Sequence, residues 1–333
     1  MKFNPPDALL AFLKQYRRFL ILGHGEPDGD CLGSQMGMAL LVRKLGAEAV
    51  LLSPGPFRRP EIQEYSSRFQ NRIPGEILQD IRNSGPSGSG WAVLIMDCST
   101  PERIGPELQE DIRDLPVAVI DHHASGADFG SVRWIEPKAP AVTVLVHRLY
   151  TLLDLPVEKE EAELLFLGLC TDTGYFRHLE EGSEDTFLLA SRLVEAGVNP
   201  KGIFNRMHGN RSLESRILLG RLLARTESWL DGRVLSTWES LEEKRTFGPE
   251  NRDSDILYQQ LQSVRNCEAV LLIREESETE RSVGIRTREA VDAGQLASER
   301  GGGGHRRAAG YNTPLSRQEI LQDLLPRIEE ILS

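Results

Sequence analysis

The stretch Val117-Ala118-Val119-Ile120-Asp121-His122-His123 decides the fold. Four apolar residues run straight into three polar donors. A short apolar run of this kind reads as a buried strand of a parallel sheet. Two similar runs lie upstream. Phe19-Leu20-Ile21-Leu22-Gly23 leads into His24, and Ala92-Val93-Leu94-Ile95-Met96 leads into Asp97. In open α/β sheets, ligands bind beyond the carboxyl ends of the strands. Three strand ends therefore aim carboxylate and imidazole donors at one place, which is how a metal site is assembled from distant parts of a chain.

Around these runs, strands and helices alternate. Leu32 to Leu45 is amphipathic and Gly46 closes it as a C-cap. Residues 48–52 read as a strand and 83–90 as a flexible loop. Helical patterns follow near 140–153, 158–170 and 184–196. The alternation predicts an α/β fold, with a doubly wound, mostly parallel sheet in an N-terminal domain over 1–196. The segment 197–226 holds Lys201, Arg206, Arg211, Arg216, Arg221 and Arg225 against one acid, Glu214. It is expected to be a helical connector, its basic residues either solvated or lining a cleft. Strand-like runs at 233–239, 268–275 and 281–287 alternate with helical patterns near 254–264, 292–299 and 316–332. They predict a smaller α/β C-terminal domain with a mixed sheet over 227–333, with Pro326 kinking the last helix. Two domains also suit a chain of 333 residues.

Composition narrows the function. The chain is 40% hydrophobic and 27% charged, ordinary for a soluble protein. No apolar stretch reaches membrane-spanning length, and the start, Met1 to Pro6, lacks the regions of a signal peptide. Four scattered cysteines, at 31, 98, 170 and 267, form neither a disulfide framework nor a zinc ribbon. A cytoplasmic protein is expected. A net charge of −11 argues against long nucleic acid as a partner, but not against a small anion in a local basic pocket.

His24-x-x-x-Asp28-x-Asp30 directly follows the first strand. Pro27 and Gly29 make it a tight loop in which the two carboxylates can diverge, each to a different ion. The competing reading is a polar turn with Asp30 capping the next helix. Adjacent side chains in Asp121-His122-His123 point in different directions, so one histidine can bind metal while the other faces a substrate; the alternative is a satisfied structural histidine. Asp172 ends a helical segment. Together these residues match a dinuclear site, with two divalent ions about 3.5–4 Å apart sharing a carboxylate. Carboxylate and imidazole together suit manganese, and iron, cobalt or zinc less specifically. Hydroxide available near neutral pH and ions that neutralise phosphoryl oxygens favour attack on phosphorus. Cys31, Cys98 and Cys170 stand beside these positions and are expected to be packing residues. Gly301 to Gly310 reads as a linker or an anion site, where a following helix start would add its dipole. Arg286 and Arg288 lie just upstream and can add guanidinium contacts to phosphate.

On these motifs the chain resembles the DHH phosphoesterase superfamily, and within it the two-domain nanoRNase/pAp phosphatase group with a C-terminal DHH-associated domain. The motifs are His24 to Asp30, Asp97-Cys98-Ser99, Asp121-His122-His123, Thr171-Asp172-Thr173-Gly174-Tyr175-Phe176-Arg177, and Gly301 to Gly310. The resemblance implies one ion on His24, Asp28 and Asp97 and a second on Asp30, Asp97, His122 and Asp172, with Asp97 bridging. It implies that His123 contacts the scissile phosphate and that Asp121 orients it. Arg286, with Gly302, Gly303, Gly304 and His305, would hold the substrate's other end. The implied reaction is manganese-dependent, with a metal-bridged hydroxide cutting short 5′-phosphorylated oligoribonucleotides to mononucleotides and 3′-phosphoadenosine 5′-phosphate (pAp) to AMP. Glu26, where the family often has Asn, and Thr287, where Ser is common, are departures. Alternatives are a phosphodiesterase for cyclic or linear signalling dinucleotides, an inorganic pyrophosphatase or polyphosphatase, and a non-catalytic nucleotide-binding protein. Expected partners are short oligoribonucleotides and small nucleotides, with no membrane and with a homodimer left open.

Overall fold

Short apolar runs build the sheet of the first unit, Met1–Gly209. The computed structural model describes residues 3–85, 90–123, 126–209 and 211–333. In chain order this unit holds α1 (Asp7–Gln15), β1 (Arg18–Leu22), α2 (Gly29–Lys44), β2 (Glu48–Leu52), α3 (Gly75–Ser84), β3 (Trp91–Met96), α4 (Pro106–Asp111), β4 (Val117–Asp121) and β5 (Val132–Ile135). The helices α5 (Val142–Leu152), α6 (Lys159–Asp172), α7 (Glu184–Glu195) and α8 (Pro200–His208) complete it. All strands are parallel, in the order β2-β1-β3-β4-β5. Alternate residues of each strand enter opposite cores. Phe19, Ile21, Leu94 and Met96 join α2, α5 and α6, while Leu20, Leu22, Val93 and Ile95 join Ile81 and Leu108 of α3 and α4. Burial on both faces is why these strands read as continuous apolar runs.

The strand order turns around at β1. The chain pairs β2 on one side of it and β3 on the other. Such a switch point opens a crevice beyond the carboxyl ends of the two central strands, and there lie His24 and Asp97.

Two helices bring further donors to the crevice. A Cβ at Gly33 of α2 would stand 2.5 Å from the carbonyl oxygen of Leu164 in α6, so the helices meet backbone to backbone. That contact sets Asp30, in the first turn of α2, beside Asp172 at the end of α6. The helix begins at Gly29, ahead of the apolar pattern that starts at Leu32, and its cap is Asp28 rather than Asp30. Asp28 Oδ1 accepts from the backbone N–H of Asp30 and of Cys31, at 3.1 and 3.0 Å. The first turn buries a polar side chain, so hydrophobic periodicity could not reveal it.

The second unit, Asn210–Ser333, carries a mixed sheet. Its elements are α9 (Leu213–Ala224), β6 (Glu227–Trp229), β7 (Val234–Glu239), α10 (Leu241–Phe247), α11 (Ser254–Gln262), β8 (Ala269–Glu275), β9 (Arg281–Thr287), α12 (Ala293–Ser298), β10 (Gly303–His305), β11 (Ala308–Thr313) and α13 (Arg317–Leu332), with Pro326 inside α13. The order is β10-β11-β9-β8-β7-β6, with β7 and β8 parallel and the other pairs antiparallel. Leu271, Ile273, Val283 and Ile285 pack with α12 and α13, and Leu235, Val270 and Leu272 with α9 and α11. The α/β class with one parallel and one mixed sheet is the one the sequence predicts.

The stretch 197–226 is divided between the units, α8 in the first and α9 in the second. Its arginines meet acids of their own units. Arg206 meets Glu64 and Tyr65, Arg211 and Arg216 meet Asp253, and Arg221 and Arg225 meet Glu243. The acids that balance this run lie outside it in sequence. Of the expected loop 83–90, residues 83–84 close α3 and 86–89 lie outside the described residues. Among the described residues no helix is long and apolar enough to cross a membrane.

Candidate metal centre

The end of β3 places Asp97 at the middle of the crevice. Its backbone is left-handed, at φ 55°, an unusual conformation for a non-glycine residue and a sign of local constraint. Its N–H donates to the carbonyl of Ile120 in β4, at 2.9 Å. The side chain is 2% exposed, and its Oδ1 has no hydrogen-bond partner. Burial pushes the carboxyl well above the usual carboxylate range, and the charges of Asp30, Asp28, Asp172 and Asp121 push it further.

Imidazoles flank it. His24 Nε2 lies 3.5 Å from Asp97 Oδ2, and His122 Nε2 lies 3.6 Å from Asp97 Oδ1. Both rings are turned by backbone carbonyls, His24 Nδ1 toward Gly25 at 2.8 Å and His122 Nδ1 toward Ala139 at 2.9 Å. A carbonyl only accepts, so each Nδ1 carries the proton and each Nε2 points into the crevice. Burial lowers the pKa of His24. Burial also acts against charge on His122, but the carboxylates of Asp172 and Asp30 overcome it and raise that ring to about 9.

Asp30 is fully buried. The start of α5 holds it, with Val142 N–H donating to Oδ2 at 2.6 Å and Thr143 N–H and Oγ1 donating to Oδ1 at 2.9 and 2.8 Å. Burial, then the charge of Asp172, raises its pKa to about 7 despite those bonds. Asp172 Oδ2 lies 3.1 Å from His122 Nε2.

Asp121 holds the second histidine. Its Oδ1 accepts from the N–H groups of His122 and His123 at 2.7 and 3.2 Å and from His123 Nδ1 at 2.7 Å. Burial alone would raise this carboxyl, but bonds from His123 and Ser99 hold it below the usual range. Asp121 is therefore an ionised acceptor, and the His123 ring, 42% exposed at its side chain, is left with Nε2 free to face solvent or a ligand.

Among the described residues, three groups of donor atoms lie within 4.8 Å of one another: Asp97, Asp121, His122 and His123; Asp30, His122 and Asp172; and His24, Cys31 and Asp97. The structure thus gathers His24, Asp30, Asp97, Asp121, His122, His123 and Asp172. Asp28 is in none of these groups and caps α2, although its charge acts on both His24 and Asp97. Cys31 is a donor that sequence reasoning set aside as packing. Its thiol accepts from Gln35 Nε2 at 3.4 Å, and burial pushes its pKa well up. Thr143, which holds Asp30, carried no sequence signal beyond opening a helix. The donor set fits cations: crowded carboxylates, an orphaned buried oxygen and converging imidazole Nε2 atoms are costly without positive charge among them.

The second unit groups Arg286 and His305. Arg286 on β9 pairs with Ala308 on β11, which pairs with His305 on β10, so the three share one row. The glycine run is no linker: its second half enters β10, Gly303–His305, an edge strand, and the next element is β11 rather than a helix start with its dipole. Gly304, at φ 143°, approaches Ala308 and Ala309 too closely for a side chain, while a Cβ at Gly303 would meet open space. Arg288 instead donates to the carbonyl of Gln262.

The DHH family, N-terminal domain, matches residues 18–169, and the DHHA1 domain matches 240–333. A bifunctional oligoribonuclease and PAP phosphatase NrnA from Thermus thermophilus is 30% identical over 317 residues, covering 94% of this chain and 90% of that protein. This chain belongs to the DHH family of phosphoesterases. The corresponding NrnA of Bacillus subtilis is 24% identical over 307 residues, 91% of each chain. Among solved structures, an exopolyphosphatase-related protein from Bacteroides fragilis matches with a TM-score of 0.82 at 21% identity, over 97% of this chain and 95% of that one, which shows a shared fold. As a DHH protein the chain is a hydrolase of phosphoester bonds that acts on nucleotides. The triad Asp121-His122-His123, which gives the family its name, is the group built on the end of β4.

Proposed function

We propose that this DHH protein degrades short 5′-phosphorylated oligoribonucleotides to mononucleotides and hydrolyses pAp to AMP, using two divalent cations, manganese by preference. The observation that carries the metal reading is Asp97, buried, lacking a partner at Oδ1 and flanked by His24 and His122. The substrate reading is supported by the likeness, over nearly the whole chain, to bifunctional oligoribonucleases and PAP phosphatases.

His24, Asp28 and Asp97 would hold one cation, and Asp30, Asp97, His122 and Asp172 the other. Carboxylate and imidazole donors suit manganese. Divalent cations held there would neutralise phosphoryl oxygens and make water acidic enough to react near neutral pH. Asp121 fixes the His123 ring through Nδ1, so that Nε2 meets the scissile phosphate or the departing oxygen. Thr143 and the start of α5 keep the Asp30 carboxylate from turning away. Arg286, His305 and the edge strand Gly303–His305 would bind the phosphate and sugar at the far end of the substrate. The four free, buried thiols suit a reducing compartment such as the cytoplasm.

The test is kcat/KM with Mn2+ across 5′-phosphorylated oligoribonucleotides from two to about twenty nucleotides, with pAp, pyrophosphate and a cyclic dinucleotide alongside, at fixed ionic strength. Activity is expected to fall beyond a few nucleotides, because a net charge of −11 offers a long strand little attraction. A flat or rising profile overturns the short-substrate reading, and pyrophosphate as the best substrate replaces it.

A further inference from the structure

Arg286 sits over an aromatic ring. Its guanidinium carbon is 4.5 Å from the ring centroid of Tyr258, and Nη1 donates to the carbonyl of Ile285 at 3.1 Å. Tyr258 comes from α11 and is 5% exposed, in a core with Leu257, Leu261, Val270 and Leu272. Along β9 residues 284 and 286 face the same side. Their partners on β8 are Leu272 and Val270, which belong to that same core. A Cβ at Gly284 would overlap the Tyr258 hydroxyl, whereas the next ring atom, Cζ, stands 3.4 Å away. The glycine is thus the seat for the hydroxyl, and the ring extends from it to lie against the arginine.

We propose that Tyr258 is a positioning residue for nucleotide binding: seated on Gly284, it holds the Arg286 guanidinium flat and ready for a phosphate. The ring occupies one face of the guanidinium and leaves the N–H groups other than the one bonded to Ile285 for the anion. It also restrains a long side chain before the ligand arrives, so less freedom is lost on binding. The inference rests on the reading in which Arg286 meets a substrate phosphate.

The test uses Gly284→Ala, the double variant Gly284→Ala/Tyr258→Phe, and Tyr258→Leu in the full chain. Each is measured for KM and kcat on the dinucleotide pApA with Mn2+, for hydrolysis of bis(p-nitrophenyl) phosphate, and for AMP affinity by calorimetry. Gly284→Ala displaces the hydroxyl and with it the ring. It is expected to raise KM for pApA and Kd for AMP roughly three- to tenfold, the scale of a lost cation–π contact. Tyr258→Leu is expected to match it. The double variant keeps the ring but removes the clashing oxygen, and both constants are expected to return to within about twofold of the parent. A double variant as weak as Gly284→Ala overturns the proposal, as does a parallel fall on pApA and on the generic diester. A parent protein that cuts the generic diester but not pApA overturns the oligoribonuclease reading instead, and the order of AMP affinities still decides the role of Tyr258. A parent that does not bind AMP overturns both.

Discussion

In the first unit Asp97 is buried with Oδ1 unpartnered among other carboxylates, whereas in the second Glu239 is just as buried and fully engaged. Both Glu239 oxygens accept from Arg252 Nε at 2.9 Å, and Oε2 also accepts from Arg274 Nε at 3.0 Å. Around it Arg252 reaches Glu276, which Lys244 also meets. One region crowds the carboxylates of Asp30, Asp97, Asp121 and Asp172 together, and the His122 ring that meets Asp172 leaves Asp97 Oδ1 without a partner. The other sets both oxygens of its buried carboxylate against arginines of the same unit. A buried carboxylate held by arginines fits the scaffold, and one left unpartnered among other carboxylates points to a bound cation. Arg286 makes the same distinction inside the second unit, since its neighbour there is a ring and not an acid.

Asp97→Asn attacks the unpaired side and is expected to have the largest effect. Metal occupancy and turnover are both lost, turnover on the order of 10³-fold or more. Elemental analysis that finds full occupancy in this variant would overturn the bridging role proposed for Asp97. Glu239→Gln attacks the paired side. It removes the carboxylate that Arg252 and Arg274 share and is expected to lower the stability of the second unit by about 3 kcal/mol in denaturant unfolding. Metal content is the control: if it falls together with stability, the distinction between scaffold charge and ligand charge fails.

Asp121→Asn sharpens the first region. This residue turns His123, so the expected cost is roughly 10- to 100-fold in kcat with metal still bound. A loss as deep as that of Asp97→Asn would place Asp121 among the metal ligands. The smallest effect concerns His147 of α5, buried with Nδ1 unpartnered, whose pKa burial and then Arg192 lower to about 4. The folded ring resists a proton that the unfolded ring accepts at its usual pKa of 6.5. Its contribution is therefore complete above 6.5 and is lost as pH falls toward 4, by roughly 3 kcal/mol in all. His147→Leu should flatten unfolding free energy against pH in that window, and an unchanged slope would assign the acid sensitivity elsewhere.

The strand ends were legible because a buried parallel strand is a continuous apolar run, and a donor just after it is conspicuous. His24, Asp97 and Asp121-His122-His123 follow this rule, and Asp172 ends its helix as read. The short elements β5, β6 and α10 were not legible, since a few residues carry no period. Nor was the fate of the arginines between 206 and 225, because their acids lie in other parts of the chain.

The sequence by itself determined the sheet class, the family and the gathered carboxylate and imidazole donors, though not the Cys31 thiol, since each of these is written in local runs of residues. Only the tertiary structure decided how those donors divide their work. Asp28 became a cap and Asp30 a buried carboxylate tied to α5, because α2 starts at Gly29 and lies against α6 through Gly33. Tyr258 came under Arg286, because a glycine on β9 leaves room for its hydroxyl. These are contacts between residues far apart in the chain, and their physical cause is close packing, which local patterns of hydrophobicity do not encode.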